Sequence, residues 1–101
     1  MAAGGRREEI DAKITRWEKD LERLRVALAK APEALNATHH LTFVELYRLK
    51  EVAKSRWEAI RGVYRPKAED VRRCDDAMAS VEAAWPKVEA MLTEMLPVAA
   101  A

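Results

Sequence analysis

Cysteine is nearly absent from this chain. Its single copy, Cys74, leaves no partner for an internal disulfide, and that usage fits a reducing compartment. Glycine and proline are scarce, three and four residues in 101. Neither charge sign prevails: 18 Lys and Arg against 17 Asp and Glu give a formal net charge of +1. A global field that would draw in DNA or an acidic membrane is therefore missing, and only local patches remain. No stretch approaches the roughly 20 apolar residues that span a bilayer. The opening M-A-A-G-G-R-R-E-E also lacks the apolar core of a secretory signal. The expectation is a cytoplasmic protein with no membrane partner.

What is present is half hydrophobic and 35% charged, the profile of a chain made mostly of helix. The length allows one domain and one core. From about residue 6 to 31, apolar residues recur at Ile10, Ile14, Trp17, Leu21, Leu24, Leu28 and Ala31. The alternating steps of four and three make one narrow seam along a helix about 40 Å long. Glu9 stands four residues before Lys13 as a supporting pair. Pro32 ends the segment, because the residue before a proline avoids the helical region.

Residues 32–41 are expected to form a connector with at most one helical turn at its start, and the Asn36-Ala37-Thr38 sequon inside it carries no weight without an export signal. Thr42 and Glu45 make a T-x-x-E capping box, and Leu41 and Leu46 occupy the positions of a hydrophobic staple. These signals predict a second helix over about 43–64 with Thr42 as N-cap. Its apolar face is Leu46, Leu49, Ala53, Trp57, Ile60 and Tyr64, and Gly62 and Pro66 weaken and stop it. A third helix over about 67–96 follows, with a seam of Val71, Cys74, Met78, Val81, Trp85, Val88, Leu92 and Met95. Ala77, Ala84 and Met91 widen that stripe, as a helix touching two neighbours requires. Pro86 falls inside the seam without breaking its phase, which predicts a kink and not a stop. Residues 97–101 are expected to fray. The fold class is all-α: an elongated antiparallel three-helix bundle with coiled-coil-like packing, its third helix kinked at Pro86.

No catalytic constellation emerges. His39 and His40 are adjacent and not spaced to share a metal, and both are expected in an exposed loop. Cys74 lies on a seam and precedes Asp75 and Asp76, a poor setting for a thiolate. Asp75 and Asp76 point about 100° apart on a helix and do not share a proton. Gly4-Gly5 follows no strand, and Ser55 and Ser80 both fall inside helices, so phosphate loops and serine triads are excluded. The Trp and Met residues sit at seam spacing and read as core. No cofactor, metal or catalytic role is expected.

Two surfaces stand out. The seam of the first helix (Ile14, Trp17, Leu21, Leu24, Leu28) and the apolar end of the third (Met91, Leu92, Met95, Leu96) offer candidate interfaces. They point to a non-catalytic adaptor, scaffold or regulator that binds a protein partner or itself, most simply as a two-fold dimer. Lys50, Lys54, Arg61 and Arg65 form a basic row beside Trp57, a candidate surface for nucleic acid or for a component of nucleic-acid machinery. The row is expected instead to face Asp75, Glu82 and Glu89 of the third helix, which leaves nucleic acid the less favoured partner.

Overall fold

The computed structural model describes the backbone of residues 2–100 and the side chains of residues 6–95. It contains three helices, α1 (Ala2–Lys30), α2 (Glu33–Arg61) and α3 (Ala68–Ala100), and no strand among the described residues. Every pair of helices is in contact. The bundle measures 49 × 23 × 18 Å, close to the length of one 29-residue helix at about 1.5 Å per residue.

The seam of α1 is buried from Ile14 to Leu28, with Ile10 and Ala31 half-buried at its ends. Leu21 and Leu24 are among the most deeply buried side chains, and Ala27 joins them beside the stripe. Trp17 meets Trp85 of α3 with ring centroids 5.7 Å apart and planes tilted by 40°, a favourable offset for two quadrupoles. Along α3 the buried residues run from Cys74 to Met95. The helix continues through Pro86, whose ring lies on the exposed side while Trp85 and Val88 stay buried. The lost hydrogen bond at Pro86 is offset by packing on both sides of it. The helix also continues past Pro97 to Ala100, four residues beyond the expected end at 96.

The connector expected over 32–41 does not exist. Pro32, with φ −54° and ψ 147°, precedes a helix that starts at Glu33 and runs unbroken to Arg61. Thr42 is therefore an interior residue and not an N-cap, and Leu41 is 78% exposed instead of stapling anything. No glycine or proline interrupts residues 33–61. The inward face of the added turns is Leu35, Asn36, His39, Thr42 and Phe43, all half-buried. That face has helical spacing but mixed polarity, so it leaves no apolar period to see. Asn36 closes the α1–α2 turn: its Nδ2 donates to the carbonyl of Leu28 at 2.8 Å, a second donor to an acceptor near the end of α1 that also receives the Ala31 amide at 3.2 Å. At the far end α2 stops at Arg61, three residues earlier than expected, and the amide of Val63 donates to the Ile60 carbonyl at 3.1 Å. Tyr64 is solvent-exposed in the turn, with the Arg65 guanidinium over its ring.

Asn36, and not Thr42, does the capping work here. Asn36→Ala is expected to cost about 1 kcal/mol, the usual value of a lost hydrogen bond, while Thr42→Ala stays within about 0.5 kcal/mol. Urea denaturation of both variants checks the pair. The reverse order would restore a helix start at Thr42.

Candidate interaction surfaces

Charged residues flank the α1 seam on both sides, with opposite signs toward its two neighbours. Toward α2 stand Asp11 and Glu18. Asp11 accepts from the Trp57 indole Nε1 and from Arg61, each at 2.7 Å. Glu18 accepts from Lys54 at 2.7 Å and lies 3.5 Å from Lys50. Toward α3 stand Arg6 and Lys13, paired with Asp75 and Glu82. Each set repeats every seven residues, the spacing that keeps a helix position facing the same neighbour. The numbers rise together for α1 and α3, so those helices are parallel. They run in opposite order for α1 and α2, which are antiparallel.

The basic row of α2 is thus held within the molecule, but by α1 and not by the acidic row of α3. Asp75 and Glu82 face α1 as well. Lys50 is only 2% exposed. Its ammonium bonds Glu51 at 2.7 Å and sits 4.2 Å from the centre of the Tyr47 ring. Arg65 lies beyond the end of α2 and does not extend the row. An open groove of about 230 Å³ along the α1–α2 seam is lined by Trp57, Ile14 and these same ion pairs.

The candidate interface residues Ile14, Trp17, Leu21, Leu24, Leu28, Met91, Leu92 and Met95 all lie in the core of the one chain. Leu96 has its side chain outside the described residues. From Ile14 to Leu28 the seam of α1 packs on α2 and α3. His39 and His40 are helical and not in a loop. His39 is half-buried with Nε2 at 3.3–3.4 Å from the Glu94 carboxylate, and His40 is exposed. The Cys74 thiol is buried. Burial, and then the charge of Asp75, raise its pKa, so it stays protonated at neutral pH. Among the described residues no three His, Cys, Asp or Glu side chains converge, and no helix is long and apolar enough to cross a membrane.

Three outward faces remain. That of α1 carries Arg16, Lys19, Arg23 and Lys30, all exposed. Only Arg23 has an ion partner among the described residues, Asp20 at 3.6 Å. That of α3 is built of small residues, Ala79, Ala83, Pro86 and Ala90. That of α2 carries Leu41, Val44, Arg48 and Val52, which successive helical turns bring into one line opposite the buried Leu46, Ala53 and Trp57. Sequence patterning missed this face because Leu41 fits a staple equally well and because Val44 and Val52 flank a charged residue.

The flanking carboxylates make stability depend on pH. Hydrogen bonds from Arg61 and then Trp57 hold the pKa of Asp11 below its ordinary value. Lys54 does the same for Glu18 against the opposing effect of partial burial. With folded pKa values below the unfolded ones, this contribution is present at neutral pH and disappears as pH falls through the ordinary carboxylate range and below. Lys54 is raised by Glu18, so its contribution is lost only as pH rises past the ordinary lysine range. Denaturant midpoints at pH 7 and pH 3 are expected to fall less in an Asp11→Asn/Glu18→Gln variant than in the parent. An equal fall would place the acid sensitivity elsewhere.

No protein-family model matches the chain, and no similar curated protein or solved structure was found.

Proposed function

We propose that the chain is a non-catalytic helical interaction protein that works through an outward helix face and associates with itself as a two-fold dimer. The observation that carries this is the outer face of α2, where Leu41, Val44 and Val52 are 78%, 47% and 40% exposed in one line. Large apolar side chains aligned in water favour a partner helix, and closed two-fold assemblies are the commonest kind. A cytoplasmic setting suits its single buried thiol. Light scattering over a range of concentrations is expected to rise from the 11.4 kDa of one chain to twice that value in the micromolar range. Leu41→Asp/Val44→Asp is expected to abolish the rise with the helical circular dichroism unchanged, because both positions face solvent. A strict monomer at all concentrations would overturn self-association.

Nucleic-acid binding is the weaker alternative, because Lys50, Lys54 and Arg61 are already engaged by Asp11, Glu18 and Glu51. Arg16 and Lys19 of α1 are exposed cations with no ion partner among the described residues. Fluorescence anisotropy with labelled single- and double-stranded oligonucleotides is expected to give weak binding at physiological salt. Any binding at low salt should fall on Arg16→Ala/Lys19→Ala and stay unchanged on Lys54→Ala/Arg61→Ala. Submicromolar affinity that depends on Lys54 and Arg61 would instead place the α2 row at the phosphates.

A further inference from the structure

We infer that the α2 face is covered by the same face of a second copy, antiparallel, about a two-fold axis passing between Leu46 and Tyr47. The inference rests on the self-association proposed above and adds its register. Leu41 and Val52 lie equally far from that midpoint, about 8 Å along the helix, and Glu45 and Arg48 about 2 Å. A two-fold axis there brings Leu41 of each copy beside Val52 of the other and Glu45 of each beside Arg48 of the other. Every contact is made twice, as an isologous interface requires. Val44 of each copy lies between these pairs.

Charge selects this arrangement among the alternatives. Glu45 and Arg48 are both exposed and, among the described residues, neither forms an ion pair within its own chain. A parallel pairing in register sets Glu45 on Glu45 and Arg48 on Arg48. An antiparallel pairing centred on Arg48 brings Val44 onto Val52, but it sets Arg48 on itself and Glu45 on Glu51. Like charges placed together oppose both arrangements, while the axis between Leu46 and Tyr47 joins opposite ones. The face points away from α1 and α3, so two bundles approach along it without displacing any core residue.

Charge exchange at these two surface positions tests the register in the full chain. Glu45→Arg sets arginine on arginine, Arg48→Glu sets glutamate on glutamate, and each alone is expected to weaken the dimer at least tenfold in sedimentation equilibrium. The Glu45→Arg/Arg48→Glu double variant restores both pairs and is expected to return the dimer to near parental affinity. Mixing the two single variants is expected to give a heterodimer tighter than either homodimer, since all four facing charges then oppose in sign. Native mass spectrometry resolves it. Single variants that dimerise like the parent, or a double variant that fails to recover, would overturn the register. If Leu41→Asp/Val44→Asp still dissociates the protein, the interacting face stands and only its pairing falls. If the parent is monomeric, both fall together.

Discussion

The contact between Glu18 of α1 and the lysines of α2 constrains the rest of the bundle. Lys50 occupies a core-facing position of α2, between Leu46 and Ala53 on the buried stripe. A lysine there loses most of its hydration, and only a carboxylate at the right height restores it. Glu18 from α1 and Glu51 from its own helix supply two, and the Tyr47 ring receives the remaining face of the ammonium. Such a pair adds little net stability compared with apolar residues of the same volume, because desolvation cancels much of the attraction. Its effect is on alignment. Sliding α2 by one turn along α1, about 5 Å, leaves Glu18 with at most one of the two lysines it now faces.

The two ends of the bundle are joined by different means. Where α1 and α3 begin and α2 ends, Asp11, Arg61, Arg6, Asp75, Lys13 and Glu82 fasten α1 to both neighbours. Exposed pairs of this kind contribute about 0 to 1 kcal/mol each, so they set direction more than they stabilise. At the opposite end the closure is apolar and hydrogen-bonded: Leu28, Met91, Leu92 and Met95 are buried, Leu35 and Phe43 pack against the core, and Asn36 ties the turn. The core between is continuous, and Trp17 against Trp85 marks its middle.

How much of this was legible in the sequence follows from which side chains carry each contact. The α1 and α3 seams were readable because they are apolar at unbroken three-and-four spacing, and that same phase carried α3 through Pro86. The first turns of α2 were not, because they present Asn36, His39 and Thr42 inward, and Pro32 suppresses helix before itself without preventing one after. A capping box at Thr42 is a local signal that tertiary packing overrides. The existence of internal charge pairing was readable from the heptad rows on α2 and α3. Its partners were not, since a short turn between α2 and α3 suggests that their charges meet, while both rows turn toward α1. The candidate interface residues of α1 were read from a narrow seam, which suits another copy of the chain as well as it suits α2 and α3; in the single chain that seam packs on α2 and α3.

With the seams and flanking charges engaged inside the molecule, the proposed interaction draws on the outward faces, and these differ in what they offer. The alanines and proline on α3 present little area. The cations on α1 are well hydrated, and each exposed pair they form is weak. Val26 is a single exposed aliphatic on α1, whereas α2 lines up Leu41, Val44 and Val52 in water, where fully burying a Leu or Val is worth about 1.5–3 kcal/mol. A two-fold arrangement uses each such side chain twice, yet association itself costs at least about 4 kcal/mol of lost translational and rotational freedom. In the dimer proposed above, six partly buried aliphatic side chains set against that cost would give weak, reversible association, with the two Glu45–Arg48 pairs choosing the alignment and the apolar contacts supplying the affinity.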